Sequence, residues 1–223
     1  KLFINFVLLI ATCAFASGKP DDAIQLIGPS GTKDLVNETK AEGPLGWVFK
    51  DGVLTVGKGH IITKSPVTNF KAHLEFKVIN KPKKKKKNKR TNDGNSGVYI
   101  QQRYEIQILD SHGHDDDYQN YDCASIYKFK KPDQIACKPP GEWQSYDIEF
   151  HAAKWDGDKK VANARLTLIH NGVKVHDNVE IPDKTGNGKK ETPQAFPLRL
   201  QDHGNPVQFR NFWLQEIKWN TYS

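Results

Sequence analysis

The chain has 223 residues, of which 37% are hydrophobic and 26% charged, which suits one well-buried domain. Eleven Phe, seven Tyr and five Trp supply a full core and exclude a disordered chain, a collagen, a coiled coil and a polytopic membrane protein. The formal charge of +7 comes from one stretch, because 81–90 (KPKKKKKNKR) holds eight cations and the rest of the chain carries 25 basic and 26 acidic residues, so no fold-wide footprint for nucleic acid exists.

Lys1 opens an apolar run from Leu2 to Ile10, followed by small residues ending in Ala14-Phe15-Ala16, the form of a signal-peptidase site. Residues 1–18 are therefore expected to be an export signal cleaved near Ala16, since the run is too short to span a bilayer. No Met occurs in the sequence, and the initiator is expected to precede Lys1. The expected location is periplasmic, extracellular or on the cell surface. Lipid anchoring at Cys13 is the weaker alternative, because Thr12 stands where a smaller residue is wanted. Residues 19–41 read as an extension leading into a single domain over 42–223.

Along that domain the apolar period is two. Short strands are predicted at Trp47–Phe49, Val53–Val56 and His60–Thr63. In the next, Phe70, Ala72, Leu74, Phe76 and Val78 alternate with Lys71, His73, Glu75 and Lys77, the pattern of a strand with one face on a core. The lysine run then forms a protruding loop, read as solvated or as a contact to an anionic surface. A long strand follows at Gly97–Leu109. The segment Ser111 to Pro140 reads as a second long loop and carries Cys123 and Cys137; in an oxidising compartment these two either close a disulfide or stay as buried thiols, and their spacing does not suit a metal pair. Further strands are predicted at Trp143–His151, Arg165–His170, Val173–Val175 and Gln208–Trp219, with Asn171-Gly172 as a two-residue hairpin turn. No segment reads as an amphipathic helix. About eleven or twelve strands separated by turn residues point to an all-β fold, a two-sheet antiparallel jelly-roll sandwich.

Two strands carry chemistry. Alternation in Tyr104 to Asp110 puts Glu105 and Gln107 on the face opposite Tyr104, Ile106 and Ile108, with Arg103 and Gln101 in line. A row of planar polar groups on a sheet suits sugar hydroxyls, and it also suits an ordinary wet face. Arg199 to Gly204 alternates likewise, giving Arg199, Gln201 and His203 on one face, where His203 is a candidate general base or metal ligand, or a surface histidine.

Five ordered motifs carry a resemblance: Gly94 to Tyr99, Tyr104 to Asp110, Gly141-Glu142-Trp143 with Tyr146-Asp147-Ile148, His170-Asn171-Gly172, and Leu200 to Asn205 with Phe209-Arg210-Asn211. In this order they resemble the DUF1080 family, described as the 3-keto-disaccharide hydrolase domain, over about residues 42 to 219. The resemblance implies a concanavalin A-like, laminarinase-like jelly roll that cleaves glycosides oxidised to a ketone at carbon 3. Such a substrate allows proton abstraction at C2, elimination of the aglycone and hydration. Glu105 or His203 would serve as base or acid, and Gln107, Gln201, Arg210, Arg103 and Asn95 would bind hydroxyls or the enolate. A divalent ion held by Glu105 and His203 is the alternative electrophile. Two other readings stay open: a laminarinase-like retaining glucanase, for which Glu105-x-Gln107-x-x-Asp110 is an imperfect match, and a carbohydrate-binding sandwich without catalysis.

Overall fold

The computed structural model describes residues 18–79 and 92–217. The predicted export signal, apart from Gly18, the Cys13 anchor, the lysine run and Trp219 lie outside the described residues. In chain order the first strands are β1 (Ile24–Ile27), β2 (Leu35–Asn37), β3 (Val48–Lys50), β4 (Val53–Thr55), β5 (Ile61–Thr63), β6 (Phe70–Val78), β7 (Ser96–Ile100) and β8 (Tyr104–Ile108). They continue with β9 (Gln144–His151), β10 (Lys154–Asp156), β11 (Lys159–Ala162), β12 (Ala164–His170), β13 (Val173–Ile181), β14 (Arg199–Leu200) and β15 (Val207–Glu216). Among the described residues the helical content is one short 3-10 turn at Asp115–Asp117. No helix among them is long and apolar enough to cross a membrane.

The strands form two antiparallel sheets and a separate β10–β11 hairpin. The larger sheet runs β13-β12-β9-β6-β15-β4-β3 with β1 added on β15, and the smaller runs β2-β5-β14-β7-β8. Alternation decides which side of each strand is dry. Phe70, Leu74 and Phe76 of β6, Tyr146 and Phe150 of β9 and Phe209 of β15 face inward, against Val98, Ile100, Ile106 and Ile108 of the smaller sheet. The opposite faces carry the polar residues, and these are where chemistry can sit.

Four departures from the sequence reading have local causes. Residues 19–41 contribute β1 and β2, which pair with β15 and β5 and so belong to the sandwich. The single strand expected over Gly97–Leu109 is a hairpin: Gln101 (φ 51°) and Gln102 (φ 55°) are left-handed and Arg103 N–H bonds Ile100 O at 2.9 Å, the closure of a type I′ turn built without glycine. The strand expected along Arg199 to Gly204 stops at Leu200. In β15 the register slips between Arg210 and Trp213, with Asn211 at φ 44°, which swings Phe212 into the core while Trp213 pairs with His73 on the outer face. The Asn171-Gly172 turn forms as read, with both residues at positive φ.

Cys123 and Cys137 are free thiols, the first fully buried with its sulfur 3.2 Å from Tyr146 Oη and the second half-buried beside it.

Candidate active cleft

Cross-strand register brings the polar groups together. In the smaller sheet Glu105 pairs with Tyr99, Tyr99 with Arg199, and Gln107 with Gly97, while Gln201 N–H bonds Gly97 O at 3.0 Å. Side chains of paired residues share a face, so Glu105, Tyr99, Arg199, Gln107 and Gln201 project on the side away from the core. Gly97 leaves the space these need, since a Cβ there would lie 2.7 Å from Glu105 Oε1.

Two loops turn this face into a narrow cleft. The segment after β8 folds back along its edge: Ala124 and Tyr127 N–H groups bond the carbonyls of Gln107 and Glu105, and Gln107 N–H bonds Ser125 O. That places Tyr127 beside Glu105. The loop between β13 and β14 is tied down by Thr185, whose hydroxyl accepts from Glu105 N–H at 2.8 Å and whose own N–H bonds Arg103 O. It brings Asn187 to the rim. The resulting cleft is lined by Asn95, Tyr99, Glu105, Gln107, Tyr127, Asn187, Gln201 and His203.

Glu105 is 2% exposed, and burial pushes its carboxyl up to about 7 despite the Tyr99 hydrogen bond and the charges of Arg199 and Lys128, which pull it down. Tyr99 Oη donates to Glu105 Oε2 at 2.7 Å and accepts from Gln201 Nε2 at 3.3 Å. With its amide nitrogen turned inward, Gln107 donates to Glu105 Oε1 at 3.2 Å and to Ser96 O at 3.1 Å. Arg199 lies 5.3 Å from the Tyr99 ring centre and pairs with Glu38 at 2.5 Å. Burial and, after it, Arg199 hold His60 below the usual imidazole range, and its Nδ1 accepts from Asp202 N–H at 3.0 Å. Asp202 in turn accepts from Gly59 and Gly204 N–H groups, which fixes the turn carrying exposed His203 at the mouth.

Five of the seven nominated residues therefore meet: Glu105, His203, Gln107, Gln201 and Asn95. Arg103 and Arg210 do not line this cleft. Arg103 sits in the β7–β8 turn, buried, donating to Gln101 Oε1, Thr192 Oγ1 and the carbonyls of Lys190 and Gln194, with its guanidinium 4.9 Å from the Phe196 ring centre. It holds the loop after β13 in place. Arg210 belongs to the other sheet, where it pairs with Glu75 at 2.6 Å. The alternation of Glu105 and Gln107 was carried on through Arg103, which the turn at Gln101-Gln102 interrupts, and Arg210, nominated through the resemblance, stands on the other sheet. Tyr99, Tyr127 and Asn187 were missed, although Tyr99 stands in a quoted motif and Thr185-Gly186-Asn187-Gly188 is a turn signal between strands.

Glu105 and His203 line one cleft, but among the described residues no group of three or more His, Cys, Asp or Glu has the spacing to hold an ion. Among the described residues the donors beside Glu105 and His203 do not close a site for the expected divalent ion.

The family described as 3-keto-alpha-glucoside-1,2-lyase-like domain matches residues 30–215. A crystal structure of a "putative glycosyl hydrolase" from Parabacteroides distasonis is 32% identical, with a TM-score of 0.77, covering 89% of this chain and 85% of that one. A second from the same organism, under the same description, is 25% identical with a TM-score of 0.58 and coverages of 87% and 99%. The alginate lyase Aly36B, 11% identical with a TM-score of 0.51 over 88% of this chain and 96% of its own, shares the fold alone. Comparison with curated proteins gives no match.

Proposed function

Because the chain belongs to the family of 3-keto-alpha-glucoside-1,2-lyase-like domains, we propose that it cleaves glycosides whose sugar ring carries a ketone at carbon 3. The ketone acidifies the C2 hydrogen and places the glycosidic oxygen β to the carbonyl. A base takes the C2 proton, the electron pair forms the C1–C2 double bond, and the C1–O bond breaks with its electrons on the aglycone oxygen. That oxygen takes up a proton, and water then adds across the double bond to give the free keto sugar.

The observation that carries the reading is Glu105: a buried carboxyl held near neutrality at the floor of a polar cleft, with a histidine at the mouth. At pH 7 about half of such groups are ionised, which suits a base that must also return a proton. Glu105 is assigned as the base at C2. His203, at the solvent end, is assigned as the acid for the leaving oxygen. Gln107, Gln201, Asn95 and Asn187 supply donors and acceptors for ring hydroxyls and the enolate oxygen. Asp110, the acid a retaining glucanase would need, does not line the cleft, which weighs against that reading.

The test is release of nitrophenol from a nitrophenyl 3-ketoglucoside and from its unoxidised parent, by the full protein and by Glu105→Gln and His203→Ala. Cleavage of the keto compound alone, lost in Glu105→Gln, is expected. Cleavage of the plain glycoside overturns the elimination route. Export belongs to the same proposal, and a mature N-terminus at Ser17 in secreted material is its check.

A further inference from the structure

Three of the sequence motifs find no use in the cleft. Gly141-Glu142-Trp143, His170-Asn171-Gly172 and Phe209-Arg210-Asn211 converge instead on the outer face of the larger sheet, beside β6, β9 and β15. There they line an open groove of about 390 Å³, against about 60 Å³ for the cleft above Glu105.

We propose that this groove, lined by Trp143, Arg210, Glu75, His73, Ser145 and Lys138, is a second carbohydrate-binding site for a neutral oligosaccharide. Its volume falls in the range that holds a small ligand. The walls are fixed in advance. The Arg210 guanidinium is 4.0 Å from the Trp143 ring centre, and Lys77 Nζ is 4.8 Å from it, so these two cations hold the half-buried indole rigidly in the groove wall. Glu75 receives Arg210 Nε at 2.6 Å and Asn211 Nδ2 at 3.0 Å, and His73 Nδ1 lies 2.6 Å from Asp147 Oδ1. Asn171 ties the rim together, accepting from Ser145 N–H at 2.9 Å and donating to Ala136 O at 2.7 Å.

Arg210 is matched by Glu75 and His73 by Asp147, while Lys138 Nζ donates to the Trp143 carbonyl, so the groove offers interleaved donors and acceptors. Hydroxyls, which both donate and accept, suit that mixture; a sulfate or carboxylate would compete with carboxylates already seated. Two sites on opposite sheets let the protein hold a glycan with one face while the other works on a sugar end.

The experiment is calorimetric titration of the full protein with maltoheptaose, cellohexaose and laminariheptaose, unoxidised glycans that keep turnover out of the readout. Saturable binding to at least one is expected, weakened about tenfold or more in Trp143→Ala, as is usual for a central aromatic anchor. Ser145→Trp fills the groove without removing a packing residue, and decides the matter if Trp143→Ala fails to fold. It should lose glycan binding yet release nitrophenol from the 3-ketoglucoside at the parent rate. Absence of saturable binding to all three glycans, binding unchanged in Ser145→Trp, or binding lost in Glu105→Gln instead, overturns the second site while leaving the cleft assignment standing.

Discussion

At the residue scale Glu105 couples function to stability, and the sign of that coupling can be worked out. Its carboxyl titrates near 7 in the fold and near 4.5 when unfolded, so between those values the folded state binds the extra proton. The group's contribution is favourable below about 4.5 and is lost as pH rises through 7. Glu105→Gln, which mimics the protonated form, is therefore expected to stabilise the protein by about 3 kcal/mol at pH 8 and by no more than about 1 kcal/mol at pH 5. Urea unfolding at the two pH values measures it, and an equal effect at both would show an unshifted carboxyl. Tyr99→Phe tests the partner. The Tyr99 hydrogen bond favours the ionised carboxylate, so its loss should raise the Glu105 pKa and move the acid limb of the kcat/KM profile to higher pH. Glu105 and Gln107 were legible in the sequence because their face follows from alternation alone. The burial that lifts Glu105 was not legible, since it comes from Tyr127 and Thr185, far along the chain in loops.

At the scale of elements, long strands with clean alternation, such as β6 and β9, announced themselves, whereas β1, β2, β10 and β11 did not, and β14 was read too long. β14 is two residues long, held between β5 and β7, and its end at Leu200 is set by those partners and not by the local alternation. Turns divide the same way. Asn171-Gly172 declares a type I′ turn, but Gln101-Gln102 reaches the same geometry without a favourable residue, stabilised by Gln101 Nε2 donating to Val67 O and Oε1 accepting from Arg103. The β12–β13 turn gives a clean test of backbone cost. Gly172 has φ 81° and open space around its Cα, so a methyl group there meets no atom and only the left-handed conformation is penalised. Gly172→Ala is expected to cost about 1 kcal/mol and lower Tm by roughly 2–4 °C. A null effect in a melting scan would mean that the turn relaxes.

For the whole molecule the decisive groups are two buried histidines that do no chemistry in the cleft. His170, 1% exposed, is held at about 3, and His176, fully buried, at about 4, in both cases chiefly because burial disfavours the charged ring. Each is neutral in the fold and titrates near 6.5 when unfolded, so the unfolded state binds more protons from 6.5 down to the folded value. Stability from these residues is full above 6.5 and falls as the medium is acidified, by about 3 kcal/mol each at pH 4. Glu105 works in the opposite direction and returns about 3 kcal/mol between pH 7 and pH 4. The balance is a net loss toward acid. It falls first on the cleft, because His176 Nε2 donates to Ala124 O at 2.8 Å and Ala124 is bonded to the Gln107 carbonyl at the edge of β8. Protonation of His176 adds a charge within the packing that holds the cleft-covering loop. His176→Gln keeps a donor for Ala124 and removes the titration, so its Tm between pH 7 and pH 4 should fall with a visibly shallower slope than that of the parent. Amide exchange at Tyr127 and Gln107 should rise in the parent before exchange in β6 and β9 does; simultaneous loss of all four would show that the sandwich opens as one unit and that the loop has no separate acid sensitivity.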